Sequence, residues 1–223
     1  QPDADWLLGP GDVLYLPPGV PHWGIAEGPC MTWSVGLRAP AWRDLAADWL
    51  QYAVDALAGD GRWRDPPAAA PPSEPAALPI TLPGVMRGHI DHILAGADES
   101  LFRRWLGCYL TEPKPNIALL PPDPPWPTAE VVTLLRQDGR LLRDGASRLL
   151  ALRAQRADAD DLLFANGDCY ALPAGHAEFL AALCRRPALT ADAVLPWLDA
   201  APCAHLLTHL FNAGHYLTPS TAD

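Results

Sequence analysis

Gly11-Asp-Val-Leu-Tyr-Leu-Pro17-Pro-Gly19-Val-Pro-His22 is the stretch on which the reading of this chain turns. Residues 13–16 carry the β-branched, aliphatic and aromatic side chains of a strand, and a Pro/Gly turn follows them. His22 then opens the next extended segment. The spacing is specific: Gly11, five residues, Pro17, one residue to Gly19, two more to His22. Residues 12–16, 23–26 and 30–37 are predicted strands, with Gly and Pro between them. The run Met31-Thr-Trp-Ser-Val-Gly-Leu37 has the composition of a buried barrel strand. The chain begins at Gln1 with no Met, only ten residues before the motif. The expectation is therefore the C-terminal part of a longer protein.

Composition narrows the class. At 223 residues and 49% hydrophobic content, the chain can bury one large core or two small ones. A net charge of −10 argues against a chain built to grip phosphate backbones and fits one that meets a basic partner. Cys30, Cys108, Cys169, Cys184 and Cys203 are odd in number and lack C-x-x-C spacing, which predicts reduced, mostly buried thiols in a cytoplasmic protein. No apolar run approaches a membrane span.

After Pro40 the period changes from two to helical. Trp42, Leu45, Ala46, Trp49, Ala53 and Leu57 share one face, and Gly59-Asp-Gly61 stops the helix. Trp42 and Trp49 read as core or dimer contact. A Pro/Ala-rich connection runs from Pro66 to Pro79, and residues 82–94 and 100–110 form two further helices. Pro121-Pro-Asp-Pro-Pro-Trp-Pro127 marks the second boundary. Thr128 then caps a helix through Gln137. Strands at 148–152 and 162–165 follow, the second entering an Asn166-Gly167 turn that leads into 169–172. Helices at 177–185, 191–200 and 203–213 complete the pattern. Helix, hairpin, helices is the order of a winged-helix-like module.

Taken with Trp33-Ser-Val-Gly-Leu-Arg-Ala-Pro40, the opening motif and this block order resemble the bacterial ribosomal oxygenases, which are Jumonji-C-type hydroxylases. Leu163-Phe-Ala-Asn-Gly167 and the Pro-Pro-x-Pro-Pro run are similar to family members too. The resemblance implies an α+β chain in three parts. Residues 1–40 are the last strands of a double-stranded β-helix (cupin/JmjC) barrel. Residues 41–112 are a helical dimerisation region, and residues 113–223 are a winged-helix-like domain. It implies Fe(II) as metal, 2-oxoglutarate as cosubstrate, and hydroxylation of an arginine in a basic protein of the large ribosomal subunit, the sixteenth. It also implies a homodimer. His22 carries over as an iron ligand, and Ser34, on the following strand, as a contact to the 2-oxoglutarate carboxylate. The family's His-x-Asp pair and its 2-oxoglutarate-binding basic residue are not among these residues, so this chain alone is not expected to turn over.

Other constellations carry less. His89-Ile-Asp91 lies in a helical pattern, where positions i and i+2 point about 200° apart, and it reads as an exposed polar face with His92. His205, His209 and His215 have no carboxylate neighbour in the zincin manner and read as a solvated or partly buried helix face. Residues 113–223 hold nine Lys/Arg against twelve Asp/Glu, and residues 203–213 hold no Lys or Arg, so a docking module is favoured over DNA binding. A non-catalytic dimerisation and docking module, or a cupin metalloenzyme of other chemistry, are the alternative readings.

Overall fold

The computed structural model describes residues 4–36, 39–57, 79–113, 115, 118–137 and 139–219. It divides into two compact units, Gln1–Pro40 and Ala41–Asp223.

In the first unit, two Pro-Gly sequences make tight turns. Asp12 N–H donates to Gly9 O at 3.1 Å and Val20 N–H to Pro17 O at 3.4 Å. Each turn has proline second and glycine third, with φ of 92° at Gly11 and 80° at Gly19, the arrangement that a type II turn demands. The predicted strands do not form: none of residues 4–36 is in a strand. A strand is completed by a ladder partner, and the described residues of this unit provide none. Side chains that a barrel would cover are therefore open, with Val13 93% and Trp33 87% exposed. The last residue of the third predicted strand, Leu37, lies outside the described residues, as do the Gly59–Gly61 stop and the proline-rich stretch from Pro66 through residue 78.

The second unit begins with three helices, α1 (Trp42–Leu57), α2 (Leu82–Leu94) and α3 (Glu99–Thr111), in the places the apolar spacing predicts. Asp98 caps α3, accepting from Leu101 N–H at 2.8 Å, a contact worth about 1 kcal/mol. Trp105 on α3 donates its Nε1–H to Asp48 on α1 at 2.6 Å. Trp49 meets Phe102 edge-on at 5.0 Å. Of the tryptophan stripe only Trp49 packs; Trp42, one end of it, is 87% exposed. At Asp91 the polar face of α2 pairs with Arg87 across one turn, at 3.5 Å.

Then come α4 (Thr128–Arg136), β1 (Arg140–Arg143), β2 (Leu149–Leu152), β3 (Asp160–Ala165), β4 (Asp168–Pro173), α5 (Ala177–Arg185), β5 (Ala188–Thr190), α6 (Ala191–Leu198), α7 (Ala201–Asn212) and β6 (Tyr216–Leu217). They form two antiparallel three-stranded sheets, ordered β5-β1-β6 and β2-β3-β4. Asn166 and Gly167 both have positive φ, 45° and 95°, and close the β3–β4 hairpin as a two-residue loop. The core joins Leu135 of α4, Leu141 of β1, Leu163 of β3, Phe179 and Leu183 of α5, and Tyr216 of β6 around α7. Thr128 is not the cap of α4. Pro127 holds that position, extended at ψ 149°, its carbonyl accepting from Glu130 and Val131, and no side chain caps the helix.

Two contacts lock this unit. Asn212, ending α7, accepts from Trp126 N–H through Oδ1 and donates Nδ2–H to Trp126 O, both at 2.9 Å. Asp161, 1% exposed at the start of β3, accepts backbone N–H bonds from Ala154, Gly175 and His176 at 2.8, 3.0 and 2.8 Å.

Candidate functional site

His22 follows the second Pro-Gly turn, and its Nδ1 lies 3.1 Å from Val20 O. A carbonyl oxygen only accepts, so Nδ1 is the donor, and in the neutral ring Nε2 then keeps its lone pair. That is the tautomer and the restraint that a metal-binding imidazole needs. The ring is exposed, however, and so is Ser34 on the segment beyond it. The structure therefore places the two predicted site residues on open backbone and does not gather them into one cavity.

Iron of the expected kind is held by two imidazoles and a carboxylate on one face of an octahedron. Among the described residues no group of three His, Cys, Asp or Glu side chains is placed to hold a metal ion. A single imidazole fixes neither affinity nor geometry. The described residues by themselves do not fit the metal, and no chemical step follows from them. His89, Asp91 and His92 lie on α2 and are exposed, and His205 and His209 are exposed on α7. His215 departs from the predicted helix face: it lies beyond α7, is buried, and pairs through Nδ1 with Ser147 Oγ at 2.8 Å. Burial lowers its pKa below the usual histidine value.

In the second unit, a surface cleft of about 170 Å³ is lined by Arg153, Glu178 and Arg185 among others, between β2 and α5. Its charges are spent on one another: Glu178 pairs with Arg153 at 2.8 Å and with Arg185 at 3.3 Å. Helix α7, where a DNA reader would present its cations, is instead largely interior, with Leu206, Leu207, Leu210 and Phe211 in the core. The expectation of mostly buried thiols fails. Cys203 alone of the five is buried, Cys30 is exposed, and Cys108, Cys169 and Cys184 are intermediate. Cys108 and Cys169 also meet, on a helix and a strand that no local spacing connects.

Helix, hairpin and following helices around a shared core define a winged-helix block, preceded by a segment bearing the barrel motif. Residues 89–217 match the ROXA-like winged helix family, residues 1–45 match the JmjC domain family, and the chain belongs to the ROXA-like family. It is 32% identical, over 95% of its length and 54% of the relative's, to the ribosomal protein uL16 3-hydroxylase of Escherichia coli. Over 36 residues, 16% of this chain and 9% of the relative, it is 50% identical to a probable ribosomal oxygenase of Haemophilus influenzae. A solved structure of the Escherichia coli ribosomal oxygenase YcfD in complex with cobalt and 2-oxoglutarate is similar at 25% identity and a TM-score of 0.60. That likeness covers 82% of this chain and 47% of the other. The chain thus spans about half the length of these two Escherichia coli matches.

Proposed function

We propose that this chain is part of an Fe(II)- and 2-oxoglutarate-dependent oxygenase that hydroxylates an arginine side chain of ribosomal protein uL16. The observation that carries the reading is the relationship to the uL16 3-hydroxylase, which extends over 95% of this chain and includes the Gly11–His22 motif. In it, His22 is one protein ligand of the iron, with Val20 O holding the ring in the metal-binding tautomer. Ser34 contacts the carboxylate of 2-oxoglutarate. Residues 1–40 belong to the barrel, 41–112 to a dimer-forming helical region and 113–223 to the winged-helix domain. A net charge of −10 suits a cytoplasmic enzyme that must draw in a basic ribosomal protein. Among its described residues the barrel segment holds one histidine and no group of three side chains placed for a metal, so the 223-residue chain alone is expected to give no iron-dependent 2-oxoglutarate decarboxylation.

The test uses the longest reading frame that contains this chain, incubated with uL16, Fe(II) and 2-oxoglutarate. Mass spectrometry is expected to show one added oxygen on an arginine, lost in His22→Ala. Hydroxylation that survives His22→Ala removes the ligand assignment. An inactive full reading frame favours the second reading, a docking and dimerisation module.

A further inference from the structure

Helix α3 approaches the β3–β4 hairpin unusually closely. A Cβ on Gly107 would stand 2.3 Å from the ring of Phe164, so only glycine allows the helix this near. Phe164 is paired in register with Cys169 on β4. The close approach therefore brings Cys108, the next residue of α3, beside Cys169, near enough for each thiol to act on the other's titration. Arg104 lies one turn earlier on the same face of α3. Its Nη1 points at Cys169 Sγ from 3.7 Å. Two thiols and a guanidinium are thus gathered at the seam between the helical region and the hairpin, and both cysteines remain partly open to solvent.

The guanidinium of Arg104, 3.7 Å from the Cys169 sulfur, divides the roles. Cys169 is lowered to about 7, first because it accepts the Cys108 hydrogen bond and then because Arg104 faces it, against the opposing effect of burial. Cys108 is pushed far up, by donating that bond, by burial, and by the negative charges of Cys169 and Asp168. Tyr52 of α1 also faces the cluster; its hydroxyl is raised by burial and by both thiols. Burial drives Cys184 up to about 11 and raises Cys203. A thiolate beside a cation, with a second thiol in contact, is the arrangement of a redox-responsive cysteine and its resolving partner.

We propose that Cys169 is a peroxide-reactive thiol and Cys108 its resolving thiol, so that a hydroperoxide converts the pair into an intrachain disulfide joining α3 to the β3–β4 hairpin. The Cys169 thiolate attacks one peroxide oxygen. An S–O bond forms and the O–O bond breaks. The sulfur loses two electrons to the peroxide, and hydrogen peroxide releases hydroxide, which leaves as water after protonation. The Cys108 sulfur then attacks the Cys169 sulfur. The S–S bond forms, the S–O bond breaks, and the departing hydroxide takes the Cys108 proton as a second water. A small dithiol reverses the change by exchange. The linkage staples the helical region to the hairpin, beside the Gly107–Phe164 packing and the Gly167 N–H to Thr111 Oγ1 bond at 3.1 Å.

The experiment treats the fully reduced chain with equimolar hydrogen peroxide at neutral pH, blocks the remaining thiols and maps the peptides. A Cys108–Cys169 disulfide is expected to appear before Cys184 or Cys203 is modified. Cys108→Ser should abolish that disulfide and leave a sulfenic acid on Cys169 that dimedone captures. Cys169→Ser should leave Cys108 an unmodified thiol. Arg104→Gln should slow the alkylation of Cys169 at neutral pH several-fold, because less of it is thiolate. The proposal is overturned if the wild-type map shows oxidation of exposed Cys30 but no Cys108–Cys169 linkage. It is equally overturned if dimedone marks Cys108 in the Cys169→Ser chain and not Cys169 in the Cys108→Ser chain. The wild-type map needs no variant to fold.

Discussion

Replacing Gly107 by alanine sets two effects of known sign against each other. In a helix interior the change favours folding by about 1 kcal/mol, through backbone entropy and propensity. Against it stands the Phe164 ring, three of whose carbons would lie 2.3 Å from the new methyl, where unstrained carbons sit ~3.5–4.0 Å apart. The ring has little room to retreat. Phe164 is 1% exposed and lies on the central strand of its sheet, between β2 and β4. Inserting a methyl into such a site costs roughly 1–3 kcal/mol, and a deficit of more than an ångström against a fixed ring belongs at the upper end. The net is a loss of about 2 kcal/mol, which for a unit of this size lowers Tm by about 4–8 °C. Thermal unfolding followed by circular dichroism measures it. A second variant separates packing from propensity: with Phe164→Leu in the background, the cost of Gly107→Ala should shrink, giving a coupling of at least ~0.5 kcal/mol. A Gly107→Ala chain that melts at or above the parent refutes the close approach of α3 to the hairpin.

Two further outcomes follow from buried polar groups. Asp161→Ala leaves the N–H groups of Ala154, Gly175 and His176 without their acceptor and should cost roughly 3 kcal/mol. Asp161→Asn, which keeps one carbonyl oxygen, should fall between it and the parent in urea unfolding, and an alanine variant within about 1 kcal/mol of the parent contradicts the reading. His215 has its pKa lowered from 6.5 chiefly by burial; Asp168 and Asp144 oppose that shift, and His209 adds to it. Below the ordinary value the unfolded chain takes a proton that the folded chain refuses. Stability therefore falls as pH drops through that value, and the fall ends once the buried ring protonates too. The parent should lose more stability in that window than His215→Gln, and equal losses sink the assignment.

What could be read in advance follows from range. The helices at Trp42–Leu57, Leu82–Leu94 and Glu99–Thr111 announce themselves because their apolar residues repeat within each segment. The β3–β4 hairpin is as legible, because Asn-Gly supplies the two positive φ angles that the turn needs. β1, β5 and β6 went unread: they are four, three and two residues long, and β1 is defined by pairing with segments distant in sequence. Residues 12–36 erred the other way, since strand composition is local while a ladder partner is not. At the candidate site, the spacing around His22 was visible at once, whereas the exposure of His22 and Ser34 was not. The meeting of Cys108 with Cys169 depends on Gly107 sliding past Phe164, which no pattern of cysteines encodes.

The doubled hydrogen bond between Trp126 and Asn212 makes the block from α4 to α7 a closed circuit. Its point of entry and the end of its last helix are neighbours, and the short β6 returns to lie beside β1. A unit whose two ends touch can be cut, rejoined or grafted at that seam without stretching anything inside it. The helical region meets this block both at that seam and across the β3–β4 hairpin, where α3 packs, so a graft at the seam must keep the hairpin's α3-facing side covered.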